Sequence, residues 1–133
     1  PYNTPLGSEY RIRITSTTNP AWNDMSDDPF TVSSAIQMVS PNGDENWIKG
    51  STYPITWTYN GNPGPAVKIE ALRGEAVLAT VATSYPIGSE GSGTYNLNLP
   101  MNTPLGADYR FRITSTTYPA CTDMSDSMFT ISA

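Results

Sequence analysis

The sequence contains no histidine. That absence removes imidazole-activated nucleophiles, the Ser-His-Asp and Cys-His arrangements, and most catalytic zinc sites with them. It has one cysteine, Cys121, so no internal disulfide can form. Cations are scarce as well: seven Lys and Arg stand against twelve Asp and Glu, for a net charge of −5. Nothing here neutralises a row of phosphates, and nucleic acid is excluded as a partner. No apolar run reaches the length of a membrane span, so no membrane-spanning segment is expected. There is no initiator Met and no signal peptide, and the chain reads as a processed product or an excerpt. Glycine loops of nucleotide-binding spacing are missing too. Only 14% of residues are charged, while Thr, Ser, Asn, Gly and Pro crowd the gaps between short alternating segments, a pattern of strands joined by turns.

What the sequence does contain is a repeat. Pro1, Asn3-Thr4-Pro5-Leu6-Gly7, Tyr10-Arg11 and Arg13-Ile14-Thr15-Ser16-Thr17-Thr18 return as Pro100, Asn102-Thr103-Pro104-Leu105-Gly106, Tyr109-Arg110 and Arg112-Ile113-Thr114-Ser115-Thr116-Thr117. Asp24-Met25-Ser26-Asp27 returns as Asp123-Met124-Ser125-Asp126, and Phe30-Thr31 as Phe129-Thr130, always at the offset that separates Pro1 from Pro100. A period of about 100 residues is too long for a solenoid turn and fits one small domain. The chain is therefore expected to hold residues 1–34 as the C-terminal hairpin of a preceding repeat and residues 35–133 as a complete one. Trp22 stands where the second copy has Cys121, so the thiol is not a repeated ligand or nucleophile.

Period-two alternation locates the strands. Tyr53, Ile55, Trp57 and Tyr59 share one face of a strand whose other face is Thr and Pro54. Pro54 has no N–H for a ladder and predicts an edge strand or a bulge. Val67 and Ile69 oppose Lys68 and Glu70; Tyr95, Leu97 and Leu99 oppose Asn96 and Asn98; Tyr109, Phe111 and Ile113 oppose Arg110 and Arg112. With residues 36–39, 77–81 and 129–131 added, residues 35–133 supply seven or eight strands, the number of an immunoglobulin-like sandwich. The expected fold class is all-β, an immunoglobulin/fibronectin III-like β-sandwich repeat preceded by the last two strands of another. Trp57 and Tyr109 lie in phase with aliphatic neighbours and are expected in the core, Tyr109 as a tyrosine corner.

One family resemblance covers nearly the whole repeat. It rests on Ser40-Pro41-Asn42-Gly43-Asp44-Glu45-Asn46-Trp47, Gly50-Ser51-Thr52-Tyr53-Pro54-Ile55-Thr56-Trp57, Asp108-Tyr109-Arg110-Phe111-Arg112-Ile113, and Asp123-Met124-Ser125-Asp126 before Phe129-Thr130-Ile131. In these runs the chain resembles the serine/threonine-rich, GPI-anchored cell-wall protein family, which includes fungal cell-wall glucan assembly proteins and bacterial and archaeal surface-protein repeats. Where the family pattern usually has a second glycine, this chain has Asp44. The resemblance implies a secreted, mostly non-enzymatic Ig-like domain that occurs in tandem.

Two chemistries are open to the acidic residues. Asp44-Glu45, or Asp24, Asp27 and Asp28, are paired carboxylates of glycosidase type, but on short loops with no cleft expected around them, so no enzyme is expected. Hard oxygen ligands gathered on loops also suit Ca²⁺, and Asp24, Asp27, Asp28, Asp44 and Glu45 are the candidate ligands of an inter-repeat calcium ion. Asp and Ser equally stabilise turns by bonding their own backbone, which needs no metal. No other cofactor is expected.

Residues 1–34 leave Tyr10, Ile12, Ile14, Phe30 and Val32 needing cover, and an isolated hairpin is marginal in water. The expected function is a non-enzymatic extracellular structural tandem repeat that self-associates, with neighbouring repeats or identical chains, into a fibre, stalk or surface layer. The alternative is a carbohydrate-binding or adhesive module of a secreted enzyme or cell-wall protein, with a glycan as partner. That alternative needs a strip of exposed aromatics, for which Trp22, Trp47, Tyr85 and Tyr118 are the ones out of core phase.

Overall fold

In the computed structural model, which describes residues 3–133, alternation in the sequence becomes alternation of burial. The described chain divides into two units, Asn3–Ser34 and Ala35–Ala133. The first holds β1 (Gly7–Tyr10), β2 (Arg13–Thr15), β3 (Asn23–Met25) and β4 (Phe30–Val32). The second holds β5 (Ile36–Ser40), β6 (Asn46–Ile48), β7 (Thr52–Tyr59), β8 (Ala66–Arg73), β9 (Ala76–Pro86), β10 (Ser92–Asn98), β11 (Gly106–Ser115), β12 (Thr122–Met124) and β13 (Phe129–Ser132). These are nine strands where the sequence suggests seven or eight; β6 and β12, three residues each, are too short to show a period.

The second unit is a β-sandwich. One sheet has the order β10-β7-β5, the other β6-β13-β11-β8-β9, with β12 also pairing on β11. Pairing is antiparallel except between β13 and β6. Ile36, Met38, Ile55 and Trp57 of the smaller sheet and Val67, Ile69, Tyr109, Phe111, Ile113, Phe129 and Ile131 of the larger belong to one buried cluster. Trp57 is 1% exposed, and its indole N–H donates to the Ile87 carbonyl at 2.8 Å. Across the ladder from Trp57 stands Gly93, where a Cβ would lie 2.4 Å from the indole; the ring fits because that residue has no side chain.

Three expectations change. β7 is the middle strand of its sheet, not an edge, and the bulge on its β5 flank falls opposite Trp57 and Thr56 rather than at Pro54. Pro54 is tolerated because β5 pairs with β7 only as far as Ser40 opposite Thr56. The Tyr59 N–H donates to Gly91 O at 2.8 Å, on the β10 flank, so backbone alternation turns position 54 toward the flank where β5 has already ended. Second, Trp47 is buried in the core rather than out of phase, stacked on Tyr53 at 4.7 Å between ring centroids; Tyr85 packs against the core, edge-on to Trp57 and Tyr95. Register shifts along the β8–β9 ladder move Tyr85 out of the simple period. Third, Glu70, on the face opposite Val67 and Ile69, is only 6% exposed, for a reason given below.

The first unit repeats the local structure of the end of the second. Gly7 pairs with Val32 and Tyr10 with Phe30, with an irregularity between; Gly106 pairs with Ile131 and Tyr109 with Phe129 in the same way. Arg13, Ile14 and Thr15 pair with Met25, Asp24 and Asn23, as Arg112, Ile113 and Thr114 pair with Met124, Asp123 and Thr122. Thus β1 and β2 together correspond to β11, β3 to β12, and β4 to β13.

Truncating a large buried aromatic costs about 3–5 kcal/mol. Trp57→Ala is expected to lower the unfolding free energy of the second unit by that amount in urea melts. A loss below about 1 kcal/mol would place the residue outside the core.

Candidate interaction surface

Two sets of polar contacts fasten the closing strands β11–β13 to the rest of the sandwich. The first surrounds the tyrosine corner. The Tyr109 hydroxyl donates to the Pro104 carbonyl at 2.5 Å. Next to it the Arg73 guanidinium donates to Asp108 through Nε and, at 2.7 Å, through Nη2, and lies 4.9 Å from the Tyr109 ring centroid. A Cβ on Gly106 would meet Arg73 Nη2 at 2.3 Å, so this glycine leaves the space the guanidinium fills. The hydrogen bond from Arg73 holds the Asp108 carboxyl below its ordinary range, and burial pushes the Tyr109 phenol up. On the same ladder Arg112 stands opposite Glu70 and donates to its Oε1 through Nε and Nη2 at 3.1 and 3.0 Å; Lys68 lies 3.5 Å from the same oxygen. The arginine and lysine cover the carboxylate, which is why Glu70 is buried on a nominally outer face. Sequence alone does not find this group, because it requires the register of two strands forty-two positions apart.

The second set is the Asp-Met-Ser-Asp run, which acts as a clasp. Met38 N–H of β5 donates to Asp123 Oδ2 at 2.7 Å. Ser125 Oγ donates to Pro41 O at 2.6 Å and accepts from Phe111 N–H at 3.1 Å. Asn42 and Asp126 exchange two bonds of 2.8 Å, and Ser127 N–H donates to Asn42 O at 3.0 Å. The held loop is shaped by Glu45, whose carboxylate accepts from Asn42 and Gly43 N–H at 2.8 and 2.7 Å. Asp44 has φ 66°, a left-handed conformation that explains why glycine is usual at this position. Asp44 and Glu45 therefore sit in a loop that β12 and its following turn grip.

In the first unit the same closing structure is present without its cover. Tyr10 donates to Pro5 O at 2.6 Å, Ile12 N–H to Ser26 Oγ at 3.1 Å, and Ser16 N–H to Trp22 O at 2.9 Å, as Ser115 N–H does to Cys121 O. Asp24 lies on β3, and Asp27 and Asp28 in the turn before β4. Burial separates the copies: Ile14 is 74% exposed and Ile113 fully buried; Trp22 is 72% exposed and Cys121 only 2%. Among the described residues no three of Asp, Glu, His or Cys gather in a group able to hold a metal ion.

A family model for the Kre9/KNH-like N-terminal Ig-like domain matches residues 40–131. The chain belongs to this family. The matched span begins at the last residue of β5 and ends in β13, so it includes the clasp's bonds to Pro41 and Asn42, while Met38 lies just ahead of it. No curated protein matches the sequence. Among solved structures, a chimeric titin Z1Z2-Z1Z2 tandem functionalized with a GRGDS exogenous peptide from fibronectin is similar at 17% identity and a TM-score of 0.43, with 92% of this chain covered. The chain spans 63% of that protein's length.

The Kre9/KNH-like domain also has an apolar cavity of about 440 Å³, reached between its edge strands β9 and β10 and lined by Leu78, Val81, Tyr95, Leu97, Tyr109 and Phe111 among others. Burial raises the Cys121 thiol above its ordinary pKa, which keeps it protonated and a poor nucleophile. Of the aromatics singled out in the sequence, Trp22 and Tyr118 are exposed, at positions that do not correspond between the copies.

Because the folded pKa of Asp108 lies below its unfolded value, its ion pair adds stability that is fully present above about pH 4. That contribution disappears as pH falls through the lower, folded value. The native domain is expected to be more stable than its Asp108→Asn variant near neutral pH, with the gap closing in acid. Urea unfolding at stepped pH measures it, and a gap independent of pH would assign Asp108 a packing role only.

Proposed function

We propose that this chain is a non-enzymatic structural module that works outside the cell, in tandem with further copies of its own domain, in a fibre, stalk or surface layer. The observation that carries this is the closing structure, which occurs twice in one chain in the same register, once inside a complete sandwich and once with its apolar face bare. Membership of the Kre9/KNH-like family supports a cell-wall setting. The glycan-binding reading has less support, since of its four aromatics Trp47 lies in the core and Tyr85 packs against it, leaving Trp22 and Tyr118 exposed.

Assembly is tested by sedimentation velocity on the 133-residue chain and on residues 35–133, which hold a core and both sheets of their own. The full chain is expected to associate as its concentration rises, and residues 35–133 to remain monomeric. Two monomers at all concentrations would overturn the assembly reading. Cosedimentation of residues 35–133 with insoluble β-glucan would favour the glycan-binding alternative.

A further inference from the structure

The first unit carries polar groups whose counterparts in the second unit each have a defined partner. Arg112 is held by Glu70 and Asp108 by Arg73; their counterparts Arg13 and Glu9 form no ion pair among the described residues. Asp123 receives Met38 N–H, Ser125 donates to Pro41 O, and Asp126 exchanges bonds with Asn42. Asp24, Ser26 and Asp27 stand at the same places of the same ladder, and Ser26 already keeps its bond to Ile12. Gly7 adds a shape criterion. At Gly106 a Cβ would strike the Arg73 guanidinium, whereas at Gly7 it would meet nothing nearer than Tyr10 Cε2 at 3.6 Å. The space a guanidinium needs is kept where the first unit has none to fill it. Beside these groups Ile12, Ile14 and Phe30 are exposed, at positions whose counterparts Phe111, Ile113 and Phe129 are core.

We infer that Asn3–Ser34 is a docking half that binds the β5–β10 half of another copy of this repeat. Its Arg13 pairs with that copy's Glu70, its Glu9 with that copy's Arg73, and its Asp24-Met25-Ser26-Asp27 run grips that copy's residues 38–42. In naming a copy of the repeat as partner this rests on the tandem reading above. The polar set makes the choice selective. An unrelated apolar surface would cover Ile14 and Phe30 equally well, but would leave Arg13 and Glu9 without counter-charges and the clasp unbonded, which disfavours it against a copy of the repeat. The apolar fit is looser: Ile12 replaces Phe111 and Trp22 replaces Cys121, one smaller and one larger.

The test places a copy of residues 35–99 directly ahead of Pro1, so that the new junction repeats the existing Leu99-Pro100. Amide hydrogen exchange at Arg13, Ile14 and Thr15 is then compared with that of the 133-residue chain. Closure is expected to slow it on the order of 1,000-fold, the difference between a fraying ladder and a globally protected one. In the extended protein Arg13→Glu is expected to abolish most of that protection, and Glu70→Arg in the added copy to restore it, while the Arg112–Glu70 pair of residues 35–133 serves as internal control. A second protein with Ile12→Phe and Trp22→Cys removes the two volume mismatches, and protection in either supports the inference. Fast exchange at these amides in both, with residues 35–133 still folded, overturns it. Assembly is judged separately by sedimentation: a chain that associates although the added copy does not close would leave the assembly reading standing without this partner.

Discussion

Strand β11 is the constraint on which the sandwich depends. It is hydrogen-bonded to β8 on one flank and to β13 and β12 on the other, it sends Tyr109, Phe111 and Ile113 into the core, and its opposite face carries Arg112 onto Glu70. The clasp that follows it reaches across to β5 and its loop. Closing strands and covering layer thus meet through burial and through specific polar bonds, and the two terms do different work. Burial supplies most of the stabilisation, about 25 cal/mol per Å² of apolar surface. The polar bonds, each modest in net worth, specify which layer fits, because an unmatched buried group is costly.

The chain contains its own comparison. The first unit has the tyrosine corner, the Ser26 bonds, the turn closed by Trp22 N–H on Asn19 O, and the strand register of the second. It lacks the layer that makes those features a core. Local hydrogen bonds and turn residues are therefore sufficient to draw the closing structure, while the covering strands determine whether Ile14 is at the surface or, as at Ile113, inside.

Much of this was legible in the sequence. The Ig-like class, the burial of Trp57 and the tyrosine corner followed from period-two alternation and one Pro-Leu-Gly turn, signals that are local. What escaped was non-local. Trp47 sits on a strand too short for a phase, Tyr85 lies on a strand shifted by bulges, and Pro54 is tolerated because a neighbouring strand ends early. The bonds from Asp123 and Asp126 of the second copy to a segment more than eighty positions away depend on how distant strands are brought together, which no local pattern shows. Asp44 was visible as a departure from a glycine pattern, and its φ supplies the reason.

The division of labour between local bonds and covering layer can be read at two equivalent amides. Ser16 and Ser115 donate the same bond, at 2.9 Å, to Trp22 and Cys121 carbonyls, so any difference in their hydrogen exchange reports the cover and not the bond. In dilute solution of the 133-residue chain, Ser115 should exchange only through global unfolding of its sandwich and Ser16 orders of magnitude faster. Equal protection of the two amides would mean that the closing structure is stable by itself, and would contradict this account.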